Sequence, residues 1–151
     1  WGGSADLGGS NKTDLKGAAT FARPVRHQAV AELHEFGRQL HFGVREFTMG
    51  CITNGILLAP TRPFGGTFFM FSDYERSAVR LAALMQIPNL YVCPTTPSPS
   101  AKMVRPTSRL STLLPSARFL SLVIRPADAF ETAEAYRYFF EKKNTLPGAM
   151  F

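Results

Sequence analysis

One carboxylate, Glu46, heads a run of small and apolar residues: Met49, Gly50, Cys51, Ile52, Gly55, Ile56, Leu57 and Leu58. A helix over residues 44–58 with that composition has no charged face to turn to water, so it must be packed on both sides. An acid at its head is costly to bury unless it is paired or keeps a proton. Gly65-Gly66 then leads into Phe68, Phe69 and Phe71, which predicts a buried strand over 66–71 offering ring faces and backbone to a flat partner. Acid plus aromatic wall is the minimum needed to hold a nitrogen heterocycle. Ser72 and Glu75 have the S-x-x-E spacing of a capping box at a helix start. Val79, Leu81, Ala82, Leu84 and Met85 supply that helix's core face, and Pro88 breaks it. Residues 89–93 and 120–124 read as strands, and Asp128 with Glu131 opens a last helix through about Lys142. Helices and strands alternating at these lengths define an α/β fold, a three-layer parallel sheet flanked by helices.

The chain's first residues, Trp1 to Asn11, are Gly-rich and turn-prone, and residues 11–24 read as a loop. Residues 25–40 place Val30, Leu33, Phe36 or Gly37, and Leu40 on one side, which predicts a helix. His27, His34 and His41 fall seven apart, not at the i, i+4 spacing that metal binding on a helix needs, so no metal site is expected. Cys51 and Cys93 also lack ligand spacing; in their apolar contexts they read as buried free thiols of a reducing compartment.

A chain of 151 residues suits one domain, 1–151, with a real core. No apolar run approaches the roughly 20 residues that span a bilayer, so no membrane partner is expected. The start carries no initiating Met and no signal-peptide pattern, which reads as a piece of a longer, cytoplasmic protein. The net charge of +6 could invite nucleic acid. Its distribution argues against that partner, because Lys102, Arg105, Arg109 and Arg118 crowd one stretch without acids or interleaved aromatics.

Several separate motifs then carry a resemblance. Gly2-Gly3-Ser4-Ala5-Asp6-Leu7, Gly43-Val44-Arg45-Glu46, Arg62-Pro63-Phe64-Gly65-Gly66-Thr67-Phe68 and Phe71-Ser72-Asp73-Tyr74 are similar, in order, to the pyrimidine-binding domain of the transketolase family. Ala78 to Met85 and Arg125-Pro126-Ala127-Asp128 continue the match. The resemblance implies a thiamine diphosphate-binding (pyrimidine domain) fold. It makes Glu46 the catalytic glutamate that hydrogen-bonds the aminopyrimidine ring nitrogen, favouring the imino tautomer that deprotonates the thiazolium. Phe68 and Phe71 fall on the pocket phenylalanines, Tyr74 beside them, Asp6 on a cofactor-proximal acid, and Ser10 on a serine near the sugar phosphate. Magnesium belongs to a diphosphate-binding domain absent from this chain. The implied partners are that domain, a second copy in a homodimeric parent, and sugar phosphates.

This chain also departs from the family. The His-Gly-Gly usual before Arg-Pro is replaced around Ala59-Pro60-Thr61, and Phe130 stands where a polar residue is usual. Residues 94–119 are rich in Pro, Ser and Thr, where the family carries Thr-His-Asp-Ser-Ile and Gly-Glu-Asp-Gly-Pro-Thr-His-Gln-Pro. Back-translation with each codon begun at the third base of the one before permits Glu-Asp-Gly at Lys102 to Val104 and Pro-Thr-His-Gln-Pro at Arg105 to Arg109. The stretch at about 94–121 therefore reads as the family segment in a shifted frame. On this reading the chain is a fragment of an enzyme that moves two-carbon ketol units between sugar phosphates, inactive alone. Two other readings stay open: another thiamine diphosphate enzyme, like deoxyxylulose-phosphate synthase, or a non-catalytic interaction fragment using an exposed apolar surface.

Overall fold

A computed structural model describes residues 1–21, 33–94, 122–141 and 147–150. Its strands are β1 (Gly2–Ser4), β2 (Thr20–Phe21), β3 (Leu33–His34), β4 (Gln39–His41), β5 (Phe64–Gly66), β6 (Leu90–Val92), β7 (Leu122–Ile124) and β8 (Gly148–Met150). They form one sheet in the order β3-β2-β4-β1-β5-β6-β8-β7, and each pairing is parallel. The helices are α1 (Gly8–Asn11), α2 (Glu46–Leu57), α3 (Ser72–Leu84) and α4 (Ala129–Glu141).

Among the described residues, two separate cores show the layering. On one face α2 lays Met49 against Ala5, Leu40 and Phe42. On the other, α4 lays Ala135 and Phe139 against Leu90 and Met150. The fold is thus the three-layer α/β sheet that the alternating pattern predicts. Glycines set the spacing of the first layer: a Cβ on Gly65 would stand 3.2–3.3 Å from the Met49 side chain, and one on Gly50 2.6 Å from Ala78 Cβ. Helix α2 can therefore approach both β5 and α3 closely only because those positions lack side chains.

Sheet order also positions the site. β1 lies between β4 and β5. The chain leaves β1 toward β2 on one side and leaves its neighbour β5, through α3, toward β6 on the other. Connections running in opposite directions from neighbouring strands open a crevice at their carboxyl ends, where open α/β sheets bind ligands.

Several sequence expectations need correction. The helix over 25–40 is not formed in its described part, since residues 33–34 and 39–41 are strands; residues 25–32 lie outside the described residues. Leu33, Phe36 and Leu40 match a helical period, but parallel pairing with β1 and β2 overrides it. The strand over 66–71 ends at Gly66; Phe71 N–H donates to the Phe68 carbonyl at 2.8 Å, closing a 3₁₀ turn over Phe69–Phe71 that feeds α3. The Ser72/Glu75 capping box is absent. Ser72 Oγ donates to the Phe69 carbonyl at 2.6 Å, and Glu75 turns into the core. Helix α3 ends at Leu84, before Pro88, and Leu81, Leu84 and Met85 are exposed; Ser72, Glu75, Ala78, Val79 and Ala82 form its buried face. Helix α2 packs on α3 and β5, but Phe47 and Ile52 stay exposed, so it is not enclosed on both sides.

Other expectations agree with the structure. Helix α2 covers most of 44–58, and β6 and β7 fall within their predicted strands. Helix α4 starts at the Asp128/Glu131 pair, where Glu131 N–H donates to Asp128 Oδ1 and Ala127 N–H to Glu131 Oε2. Its predicted end, Lys142, lies outside the described residues, as do Pro97 to Phe119 and the frame-shift reading that rests on them. Both cysteines are free; Cys93 is buried as expected, whereas Cys51 is only half-buried, which corrects the reading of two buried thiols.

Candidate functional site

Glu46 stands at the head of α2 because the chain turns sharply after β4. Gly43 supplies a φ of 66°, a left-handed conformation that disfavours a side chain, and Arg45 Nε donates back to the Phe42 carbonyl at 2.8 Å. The Glu46 side chain is then tucked inward, 7% exposed, with Oε1 accepting a hydrogen bond from Thr67 Oγ1 at 3.4 Å. Thr67 itself is fully buried just past the end of β5.

Around this acid opens a cavity of about 790 Å³. Ala5, Asp6 and Leu7 line it from the end of β1, Val44 to Thr48 from the head of α2, and Phe71 and Tyr74 from the start of α3. The Phe71 and Tyr74 rings stack at 6.3 Å between centroids and 24° between planes. Asp6 holds a φ of 64°, an uncommon conformation for a residue with a side chain and one that recurs at ligand sites. Ser4 anchors the turn behind it, its Oγ accepting from Leu7 N–H at 3.0 Å and bonding the Asn11 amide at 3.0 Å.

These three elements thus bring Glu46, Asp6, Phe71 and Tyr74 to one cavity. Phe68, half-buried in the loop before the 3₁₀ turn, and Ser10, exposed on α1, are not among its lining residues. Sequence reasoning passed over Thr67, which meets the Glu46 carboxylate, and Glu75, which it assigned to a cap.

Behind the cavity lies a buried polar layer. Asn89 Nδ2 donates to Thr53 Oγ1 at 2.9 Å and Asn54 Oδ1 at 2.6 Å; Tyr91 OH donates to Asn54 Oδ1 at 3.1 Å. Asn54 Nδ2 donates in turn to the Ala78 carbonyl at 3.0 Å, tying α2, α3 and β6 together. Glu75 sits in the same layer, 1% exposed, and neither carboxyl oxygen has a hydrogen-bond partner among the described residues. Burial, then the nearby Glu46, pushes its pKa up to about 8.

Residues 1–150 match the family described as transketolase, pyrimidine binding domain. Curated transketolases of Mycobacterium bovis and Geobacillus stearothermophilus are 49% and 47% identical to the chain over 148 and 144 residues. Those alignments cover 95% and 93% of the chain but 21% and 20% of the relatives, so the chain spans about a fifth of their length. A Campylobacter jejuni transketolase structure superposes with a TM-score of 0.75 at 34% identity, covering 99% of this chain and 22% of that one. A Pichia stipitis transketolase variant gives 0.79 at 37%, with the same coverage. The chain belongs to the transketolase family, as its pyrimidine-binding domain.

Proposed function

We propose that this domain binds the aminopyrimidine of thiamine diphosphate, with Glu46 as the acid that meets the ring nitrogen. The observation that carries the reading is a nearly buried carboxylate on the wall of an aromatic cavity at the sheet's switch point. The residues fit a flat heterocycle: Phe71 and Tyr74 offer ring faces, and Asp6 adds a second acid at the rim. Thr67 holds Glu46 in place from behind. The bound cofactor supplies the carbon nucleophile for ketol transfer. What this chain contributes is a hydrogen-bonding carboxyl at the ring, an apolar wall that excludes water, and a fixed orientation. Phe68 and Ser10 belong to the same proposal, as a further pocket aromatic and as a contact to a sugar phosphate in the assembled enzyme.

Diphosphate and magnesium fall to a separate diphosphate-binding domain, and the intact parent acts on sugar phosphates as a cytoplasmic homodimer. Exposed Val44, Phe47, Ile52 and Leu58 around α2 support a further chain docking there. Among the described residues no helix is long and apolar enough to cross a membrane. The isolated chain is expected to be inactive. Thiamine diphosphate is titrated into the full chain mixed with the diphosphate-binding domain of a transketolase, followed by calorimetry. Saturable binding that neither domain shows alone is expected; no binding at about millimolar cofactor, where affinity falls to about 4 kcal/mol, overturns the proposal.

A further inference from the structure

Glu75 has no place in the proposed chemistry, yet it is the most completely buried acid described in the chain. It lies on the buried stripe of α3 with Ala78, Val79 and Ala82, and its Oε1 would stand 3.1 Å from a Cβ on Gly50 of α2. Gly50 follows Glu46 by one helical turn, so both share the side of α2 that faces inward. No cation answers it among the described residues: Arg76, next in the chain, turns its guanidinium to Asp73. The titratable groups that act on it or feel it are Glu46 and Cys51 of α2, Tyr91 of β6 and Cys93 just beyond; none carries a positive charge. An ionised carboxylate in that position would be unpaired, desolvated and beside a second acid.

We propose that Glu75 is a positioning residue for Glu46: a carboxyl that must hold its proton for α2 to lie closely on α3, so that the head of α2 stays at the cavity wall only while Glu75 is neutral. The proposal rests on Glu46 being the site acid. Unfolded, Glu75 titrates near its ordinary 4.5; folded, it titrates near about 8. Between those values the folded chain holds one proton more than the unfolded chain, so stability falls as pH rises. The stabilisation is fully present below the lower value and is gone once pH has passed the upper one.

The test is urea denaturation of the full chain and of its Glu75→Gln variant from about pH 5 to about pH 9, with hydrogen exchange of the α2 amides measured alongside. The wild-type unfolding constant should climb relative to the variant by about tenfold per pH unit and level off above about pH 8. Protection of α2 should fall over the same range in the wild type only. Parallel profiles for the two proteins overturn the proposal. Should the variant not fold, the wild type alone decides by infrared spectroscopy: a protonated carboxylic-acid band present at about pH 6.5 and lost near about pH 8 is expected, and its absence at the lower pH overturns it. Neither readout needs cofactor, so a failed thiamine titration sinks the site and leaves this result standing, and the reverse also holds.

Discussion

The two faces of the sheet solve burial in different ways. Under α4 the core is apolar, with Leu90, Ala135, Phe139 and Met150 closed by Phe64, Val92, Leu122 and Ile124. Under α2 and α3 the apolar cluster of Met49, Ala5, Leu40 and Phe42 is joined by a polar layer: Glu46, Thr53, Asn54, Thr67, Glu75, Asn89 and Tyr91 are all buried. Apolar packing tolerates variation in detail and stabilises in proportion to area removed from water. A buried polar layer gains little net stability, yet it costs heavily when one member loses its partner, so it fixes a geometry. Both faces are stabilised by apolar burial, and only the face that builds the site adds a buried polar layer.

Four substitutions should separate the two faces, from the largest effect to the smallest. Phe139→Ala removes a nearly fully buried ring from the α4 core and should cost about 3–5 kcal/mol in urea denaturation, with the Glu46 cavity unchanged. Asn89→Ala strips donors from Thr53 and Asn54 and should cost about 1–3 kcal/mol. Gly50→Ala forces a methyl to within 2.6 Å of Ala78 Cβ, and should cost a similar 1–3 kcal/mol by thermal denaturation, roughly, while also shifting the head of α2. Arg76→Ala removes an exposed ion pair with Asp73 and should move stability by less than about 1 kcal/mol. A large loss from Arg76→Ala, or a small one from Phe139→Ala, would collapse the distinction.

The layers and one buried acid were legible in the sequence; the rest of the polar layer was not. The alternation of elements predicted the layers, and Glu46 at the head of a small-residue helix predicted a buried acid. Other features were not, for identifiable reasons. Residues 33–41 carry an apolar spacing that fits a helix, but backbone pairing with β1 and β2 decides their state, and pairing leaves no local signal. Three phenylalanines in four residues read as a strand, whereas the chain bends there to start α3. Glu75 is the instructive case. Its distance from Ser72 matches a cap, but its distances from Ala78, Val79 and Ala82 match the i, i+3, i+4, i+7 stripe of a buried face. The second pattern was present in the sequence, and the charge hid it.

The most direct test of the central claim is the affinity of thiamine diphosphate for wild type and Glu46→Gln, each mixed with a diphosphate-binding domain. The amide keeps the size of the side chain but loses the acid. Because a hydrogen bond to a charged group contributes about 1.5–3 kcal/mol, the variant should bind about tenfold or more weakly while unfolding in urea much as the wild type does. Equal affinities would show that Glu46 does not meet the ring, and would contradict the account.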